Sequence, residues 1–250
     1  KNYFVSKIVT SGSDTYLATQ NDGVFYSSDN GQTWTNISGG ILSVLNFSDL
    51  AYTRGGYLVY TNSYGVFVSD DKGQNWNEED YGLPMGACTY PCENGNGDLF
   101  IIGSDATVYK LALHTSTWDN IGSMGNYLLS SVESLYIDDK DHMFIGSPHN
   151  SIGGTGYVQQ SNDGGSSWTQ VFSQNQFGSV YPNITDISQV NGQYYFSFAG
   201  LGIFQTANFS NFSNITEKAW DTGLLTYTVS PKTSTFVLGS PGFGVFYKVP

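Results

Sequence analysis

The sequence is poor in positive charge. Lysine and arginine total 9 residues against 21 aspartates and glutamates, the net charge is −12, and Arg54 is the only arginine. Proteins that bind nucleic acid carry a basic surface that neutralises phosphates, and anionic membranes attract basic segments in the same way. The composition therefore argues against nucleic acid and anionic membranes as partners. Cationic ligands, bound cations and neutral sugars remain compatible with it.

Cysteines and long apolar runs are also scarce. The two cysteines, Cys88 and Cys92, are four residues apart. On an extended strand their Cα atoms would be roughly 13 Å apart, beyond the ~7 Å reach of a disulfide. Only a turn at Pro91 would join them, so we expect two thiols. No stretch approaches the ~20 apolar residues of a transmembrane helix, and we expect no membrane insertion.

The abundant residues are those of strands and tight turns. Aromatic side chains make up 16% of the chain and there are 30 glycines, whereas only 12% of the residues are charged. Aromatic residues favour strands and glycine permits tight turns, so the composition predicts an all-β protein with many short strands. A surface covered mainly by Ser, Thr, Asn, Gln and Gly is typical of secreted proteins. We therefore expect an extracellular or cell-surface location.

A Gly-hydrophobic-aromatic step recurs along the chain. Four clear copies begin at Gly23, Gly65, Gly202 and Gly244, and two looser copies begin at Thr107 and Gly156. Their separations are 42, 42, 49, 46 and 42 residues. A period in the forties with strand-like content is typical of β-propeller blades. Further apolar runs before and after each step predict four strands in each repeat.

The fold predicted from this repeat is a single six-bladed β-propeller of four-stranded antiparallel blades. The blades are predicted at approximately residues 6–40, 41–84, 85–125, 126–176, 177–222 and 223–250. The last repeat stops after its third strand, at Gly244–Val249. Residues 1–5 have no blade of their own. We expect them to supply the missing fourth strand and close the ring, which would protect an open sheet edge.

A second motif, Ser-x-Asp-x-Gly-x-x-Trp, lies between the third and fourth strands of three blades. It spans Ser27–Trp34, Ser69–Trp76 and Ser161–Trp168, and it resembles the Asp box of the bacterial neuraminidase repeat, a β-propeller family. The Asp can accept backbone N–H groups of a tight turn, the Gly supplies a positive φ, and the Trp is a large apolar group to bury between blades. We therefore expect nine residues to be structural: Asp29, Gly31, Trp34, Asp71, Gly73, Trp76, Asp163, Gly165 and Trp168.

The resemblance leaves the function open. Sialidases with this repeat hold their acidic sugar with three arginines, and this chain has only Arg54, so sialidase activity is not expected. Other relatives are glucanases, whose catalytic carboxylates come from two facing propellers. Sortilin-like receptors and photosystem assembly factors are relatives that bind without catalysis. The resemblance implies that the Asp-box turns lie on the face opposite the ligand site, but a fold does not determine a function.

Three carboxylates open innermost strands, at Asp49, Glu133 and Asp186. In a propeller these strand starts surround one mouth of the central channel, where carboxylates can bind a cation, accept sugar hydroxyls or act as an acid–base pair. They would serve equally as ordinary caps of nearby backbone N–H groups. The loops between second and third strands open on the same face. From these loops we select Tyr64 and Phe243 as stacking groups.

Two acidic runs are interpreted structurally. Asp138–Asp141 lacks the spacing of an EF-hand calcium loop and lies where a hairpin turn is needed. Glu78–Asp80 is interpreted as a solvated charge run. We assign no catalytic residue, no metal ligand and no cofactor, and we leave calcium open.

The leading hypothesis is a non-catalytic extracellular recognition propeller. It would bind a glycan or a protein loop at the channel mouth, through Asp49, Glu133, Asp186, Tyr64 and Phe243. The first alternative is a glycoside hydrolase that uses two mouth carboxylates, which would have to lie about 5 to 9.5 Å apart. The second alternative is a structural or assembly protein of the cell surface, with its interface on an apolar patch away from the mouth.

Overall fold

The computed structural model describes residues 4–39, 41, 49–112, 114–123, 132, 134–138, 140–146, 156–173, 184–198, 201–216, 226–229, 236–240 and 244–248. All regular elements in these ranges are β-strands, which confirms the all-β prediction. They include no helix with the length and hydropathy needed to cross a membrane. The chain divides into two compact units, Lys1–Ile121 and Gly122–Pro250.

The first three sheets each contain four strands, in the order in which the chain runs. The first sheet consists of β1 (Val5–Ser11), β2 (Asp14–Thr19), β3 (Gly23–Ser27) and β4 (Thr35–Asn36). The second consists of β5 (Asp49–Tyr52), β6 (Leu58–Thr61), β7 (Val66–Ser69) and β8 (Asn77–Glu78). The third consists of β9 (Thr89–Glu93), β10 (Leu99–Ile102), β11 (Thr107–Leu111) and β12 (Asp119–Ser123).

The second unit contains the remaining three sheets. The fourth sheet consists of β13 (Ser134–Ile137), β14 (Met143–Gly146), β15 (Gly156–Ser161) and β16 (Thr169–Ser173). The fifth consists of β17 (Ile184–Val190), β18 (Gln193–Phe198), β19 (Gly202–Thr206) and β20 (Ser213–Asn214). The sixth consists of β21 (Thr226–Val229), β22 (Phe236–Ser240) and β23 (Gly244–Lys248).

The prediction of six four-stranded blades is wrong. Within the described ranges five sheets have four strands, and the sixth sheet has three. Of the expected closing strand, residues 1–3 lie outside the described residues, while Phe4 and Val5 join the first sheet. Val5 pairs with Thr19, and the Phe4 carbonyl accepts the N–H of Gln20 at 2.9 Å. These backbone groups find partners by extending β1 along β2.

The second strand of a sheet supplies side chains to two cores. In β6, Leu58 and Tyr60 pack into a core with the first sheet, whereas Val59 packs into a core with the third. All four residues of β6 are buried. Successive side chains of a strand point to opposite faces, so a strand that is covered on both faces is apolar almost throughout. This explains the continuous apolar runs of the second strands.

The three Ser-x-Asp-x-Gly-x-x-Trp segments form one hydrogen-bonded turn. In the first copy the Ser27 hydroxyl donates to Asp29 Oδ1 at 2.7 Å and accepts the N–H of Gly31 at 2.8 Å. Asp29 Oδ1 also accepts the N–H of Thr33 at 2.9 Å, and Asp29 Oδ2 accepts the Thr33 hydroxyl at 2.6 Å. The φ of Gly31 is 84°, in the region that favours glycine.

The other two turns repeat these bonds with a different donor at the Thr33 position. The donor is Asn75 in the second copy and Ser167 in the third, and each bonds its aspartate through both its N–H and its side chain. The glycines of these turns, Gly73 and Gly165, have φ values of 85° and 92°. The bonds are therefore a property of the motif.

The tryptophans that precede the fourth strands have different surroundings. Trp76 Nε1 donates to the Ile37 carbonyl at 2.8 Å, and Trp118 Nε1 donates to the Glu79 carbonyl at 2.7 Å. Each acceptor lies just after the fourth strand of the preceding sheet. Trp118 is 3% exposed although its sheet lacks the Asp and Gly of the motif, whereas Trp34 is 36% exposed. The tryptophan thus links neighbouring sheets even where the turn motif is absent.

A second repeated contact fixes the start of the third strand. Ser38 Oγ accepts the N–H of Val24 at 2.8 Å in the first sheet, and Thr216 Oγ1 accepts the N–H of Ile203 at 3.1 Å in the fifth. We call Ser38 and Thr216 the clasp residues. A Cβ at Gly23 or Gly202, the first residues of these two third strands, would overlap the clasp side chain. In these two sheets the glycine of the repeated step is thus required by a close approach.

We expect Ser27→Ala to destabilise the fold. The change removes the donor to Asp29 and leaves the N–H of Gly31 without its partner, and Ser27 is 1% exposed. Loss of a buried hydrogen-bonding group of this kind costs about 1–3 kcal/mol of unfolding free energy. Urea denaturation followed by tryptophan fluorescence measures the change. Ser28→Ala, at the exposed neighbour, is the control and should change it by less than about 0.5 kcal/mol. Equal effects of the two substitutions would contradict the assigned role.

Acid should weaken the turns within a defined pH range. The hydroxyl and N–H of Ser167, together with the Ser161 hydroxyl, lower the pKa of Asp163 to about 2, from an ordinary value of about 4. A lowered pKa gives stability that is complete above the unfolded value and is lost as the pH falls through the folded value. Wild type should therefore exceed Asp163→Asn in stability at neutral pH, and the difference should shrink between about pH 4 and pH 2. Urea denaturation midpoints of both proteins across this pH range test the prediction. A stability difference that stays constant with pH would contradict it.

Candidate functional site

Asp49 and Asp186, two of the predicted mouth carboxylates, bond to their own strands. Asp49 opens β5, and its Oδ1 accepts the N–H of Leu50 at 2.8 Å. Asp186 lies in β17 and is 8% exposed, and its Oδ1 accepts the N–H of Ile187 at 2.9 Å. Each carboxylate therefore caps the backbone N–H of the next residue. Glu133 and Phe243 lie outside the described residues.

The register of the sheets identifies the positions equivalent to Asp49 and Asp186. In each sheet, the Val or Ile at the start of the third strand pairs with a residue of the second strand, which in turn pairs with a residue of the first strand. These first-strand residues are polar in all six sheets: Lys7, Asp49, Thr89, Ser134, Asp186 and Thr226. The fourth-sheet member is thus Ser134, the residue after Glu133. A polar residue at this position is a general feature of the repeat.

A cavity of about 520 Å³ lies in the first unit. Its walls are the loop between β6 and β7 and the segment Asp80–Cys88, which joins the second sheet to the third. We call it the Tyr64 cavity. The residues used below that line it are Tyr64, Gly65, Asp80, Tyr81, Met85 and Cys88. The sequence-predicted residue Tyr64 therefore lines a cavity of the size that small ligands and side chains occupy.

Backbone hydrogen bonds fix the segment 80–88. The Tyr81 carbonyl accepts the N–H of Trp118 at 2.9 Å, and the Met85 carbonyl accepts the Ser104 hydroxyl at 3.0 Å. Within the segment, the N–H of Leu83 donates to the Asp80 carbonyl at 3.0 Å. The segment is thus held by the third sheet and by its own turn.

Two side chains of this segment and one from the loop between β6 and β7 are exposed and largely apolar. Tyr64 is 52% exposed, Tyr81 is 75% exposed and Met85 is 98% exposed. Scattered apolar side chains are normal on a surface, but three that line one cavity form a patch. Sequence reasoning selected Tyr64 and missed Met85, since no periodic pattern marks a methionine in a connecting segment. Tyr81 lies in the same segment as Met85. Only its position beside the cavity distinguishes it from other exposed aromatic residues, and the sequence does not reveal that position.

The cavity lies in a negative field. Asp80 is the only carboxylate among its lining residues, and none of them is a lysine or arginine. Burial, followed by the charges of Asp80 and Asp105, raises the pKa of the Cys88 thiol to about 12. Both carboxylates therefore act on a group that lines the cavity. Such a field favours a cation over an anion.

The acidic run at Asp138 forms the hairpin turn that the sequence predicts. Asp138 Oδ1 accepts the N–H groups of Lys140 and His142 at 2.8 and 2.9 Å. Asp138 Oδ2 accepts the Tyr194 hydroxyl at 2.7 Å. Burial opposes ionisation of Asp138, but these hydrogen bonds outweigh it and lower its pKa. The described part of the chain contains no cluster of three His, Cys, Asp or Glu side chains suited to a metal ion.

We expect Cys88 to resist alkylation. Cys88 and Cys92 are both free cysteines, and Cys88 is 1% exposed. Because the thiolate is the reactive form, a pKa of about 12 and burial should slow its reaction with iodoacetamide at pH 8 by at least ~100-fold relative to urea-unfolded protein. Peptide mass spectrometry measures both cysteines in one sample. Cys92, which is half-buried, is the internal control. Equal rates for Cys88 in folded and unfolded protein would contradict its placement.

Solved structures resemble this chain at low sequence identity. The structure of YCF48 bound to D1 peptide has a TM-score of 0.64 at 12% identity, and the match covers 99% of this chain and 79% of that one. The extracellular domain of the hybrid two-component system BT3049 from B. thetaiotaomicron has a TM-score of 0.64 at 16% identity, covering 97% of this chain and 33% of that one. The GH74 xyloglucanase from Xanthomonas campestris has a TM-score of 0.61 at 15% identity, covering 98% and 37%.

At these identities the structural similarity shows the β-propeller fold alone, and this chain spans about a third of the last two proteins. No curated protein matches the sequence. A family model does match it: the DUF6242 beta propeller domain, over residues 3–196. That range is more than half of the 250 residues. This chain therefore belongs to the DUF6242 beta propeller domain family.

Proposed function

We propose that this protein is a non-catalytic recognition propeller, extracellular or at the cell surface, that binds its ligand in the Tyr64 cavity. The observation that carries the proposal is the fixed backbone of segment 80–88, from which Tyr81 and Met85 project with 75% and 98% exposure. A binding surface that is ordered before the ligand arrives loses less conformational entropy on association. Exposed tyrosine and methionine are enriched at such surfaces.

Binding fits the cavity better than catalysis. Hydrolysis of a glycosidic bond requires two carboxylates on opposite sides of the bond. The two described carboxylates at the edge of this cavity, Asp80 and Glu78, both lie beside one residue, Gly65. The similarity to a GH74 xyloglucanase concerns the fold and carries no reaction with it. The cavity also contains a thiol, but burial raises the pKa of Cys88 to about 12, which suppresses the nucleophilic form.

Two further parts of the proposal have independent support. The Ser-x-Asp-x-Gly-x-x-Trp turns repeat one set of hydrogen bonds three times, which supports their assignment as Asp boxes. The low share of charged residues supports an extracellular location, as does the similarity to extracellular domains of B. thetaiotaomicron proteins. The predicted contacts at Asp49, Glu133, Asp186 and Phe243 remain part of the hypothesis as a second binding region.

The test compares ligand binding by two surfaces of the same protein. Wild type and a Tyr64→Ala/Tyr81→Ala/Met85→Ala variant are applied to a glycan array and to a random peptide display library. We expect wild type to retain specific ligands and the variant to bind them at least ~10-fold more weakly, as loss of interface anchors does. An Asp49→Asn/Asp186→Asn variant tests the mouth carboxylates in parallel.

The matched control is Tyr57→Ala. Tyr57 is 44% exposed and precedes β6, at the end of that strand away from the Tyr64 cavity. Its removal should leave binding unchanged. Unaltered binding by the triple variant would overturn the assignment to the cavity. Loss of binding in the Asp49→Asn/Asp186→Asn variant alone would move the site to the channel mouth.

A further inference from the structure

Asp80 departs from the repeat at the edge of the Tyr64 cavity. In the first and fifth sheets the residue that follows the fourth strand donates its N–H to the start of the third strand, and the next residue is the clasp residue Ser38 or Thr216. In the second sheet Glu79 donates the equivalent N–H to the Val66 carbonyl at 2.8 Å, so Asp80 holds the clasp position. A carboxylate thus replaces a hydroxyl where the cavity opens.

The neighbouring residue also departs from the repeat. Asn36 and Asn214 donate their side-chain amides to the loops before the third strands of their sheets. The equivalent residue of the second sheet is Glu78, which cannot donate such a bond when ionised. A Cβ added at Gly65 would lie 3.4 Å from Asp80 Oδ2 and 3.8 Å from Glu78 Oε1. Two carboxylates therefore flank Gly65, which lines the cavity.

Three basic residues of the first unit form ion pairs away from the cavity. Arg54 pairs with Glu93, Lys72 with Asp14 and Lys110 with Asp98, at N–O distances of 3.8, 2.7 and 2.6 Å. None of these cations lines the cavity. The carboxylates at Gly65 consequently stand beside an apolar patch with no lysine or arginine among the lining residues. This combination of charge and apolar surface calls for a ligand that carries both a cation and an apolar group.

We propose that the Tyr64 cavity binds a basic peptide segment, in which a lysine or arginine lies against Asp80 and Glu78 and an adjacent apolar side chain packs on Tyr81 and Met85. This proposal rests on the recognition function proposed above and names its ligand class. Tyrosine faces also attract cations, so Tyr64 adds to the site for the charged side chain. Methionine adapts its shape to different apolar partners, which suits recognition of a peptide side chain.

A peptide fits the lining better than a glycan does. A sugar presents many hydroxyl groups, and its recognition requires several placed polar side chains. The described lining offers few of these, since glycines, Leu83, Pro84 and Met85 make up much of it. The raised pKa of the Cys88 thiol, to which Asp80 and Asp105 contribute, is consistent with a field that attracts a cation. The net charge of −12 adds long-range attraction for basic partners.

The experiment selects peptides on wild-type protein from a random heptapeptide display library. We expect the retained peptides to be enriched in lysine or arginine next to an apolar residue. Synthetic fluorescein-labelled copies are then titrated by anisotropy against wild type, Asp80→Asn and Glu78→Gln. Each substitution should weaken binding about 2- to 5-fold, as expected for an exposed ion pair, and added salt should weaken wild type more than either variant.

Charge reversal provides the stronger comparison. An Asp80→Lys/Glu78→Lys variant should lose the basic peptides and select acidic ones instead. Asp70→Lys is the matched control, because Asp70 is exposed and follows β7 at the end away from Gly65. It should leave the selection unchanged. A cooperative urea transition followed by tryptophan fluorescence verifies that each variant is folded.

The possible failures are distinguishable. Selected peptides that are neutral or acidic, or affinities that Asp80→Asn and Glu78→Gln leave unchanged, would overturn the basic-peptide assignment. Glycans that bind wild type and are lost in the Tyr64→Ala/Tyr81→Ala/Met85→Ala variant would also overturn it, while the recognition function of the cavity would stand. Basic-peptide binding that survives the triple variant would overturn both the peptide assignment and the assignment of recognition to the Tyr64 cavity.

Discussion

The hydrogen bonds that Trp118 makes with the preceding connection hold both the third sheet and the candidate site in place. Its indole N–H donates to the Glu79 carbonyl at 2.7 Å, and its backbone N–H donates to the Tyr81 carbonyl at 2.9 Å. The backbone of Trp118 also passes so close to Gly82 that a side chain there would meet it, and Gly82 has a φ of 97°. A buried tryptophan of the repeat thus fixes the backbone that exposes Tyr81. The stability of the fold and the proposed ligand recognition therefore depend on the same contact.

The β-propeller repeat could be predicted because one ladder position is apolar in every sheet. Its third-strand members are Val24, Val66, Val108, Val158, Ile203 and Val245. The strand register corrects the start of the fourth copy of the repeated step. Val158, which pairs with Gly146, is its apolar residue, so this copy begins one residue after Gly156. The strand count could not be predicted equally well. The fourth strands β4, β8 and β20 are two exposed residues long, so no apolar pattern marks them and closure of the last sheet could not be inferred reliably.

The candidate site could be predicted only in part. Tyr64 was identifiable because the repeat places it in a loop between second and third strands, where an aromatic side chain has no role in the ladder. Met85 was not identifiable, because it lies in a connection whose length and path the repeat does not specify. The carboxylates Asp49 and Asp186 were found from their positions, but the hydrogen bonds that they accept from Leu50 and Ile187 depend on local backbone geometry. Periodicity carries no information about such bonds.

In a repeat protein, a residue that departs from the pattern says more about function than one that follows it. The ladder position of Asp49 and Asp186 is polar in all six sheets, so its polarity is explained by the fold. Asp80 is different, because hydroxyl residues hold the equivalent place in the first and fifth sheets and bond the third strand there. The hydroxyl of Ser38 or Thr216 is sufficient to accept this N–H, so the fold does not require a carboxylate at this position. Violations of a local rule are expected where a site needs them. The sheet therefore does not account for the negative charge beside Gly65, whereas the proposed basic peptide would.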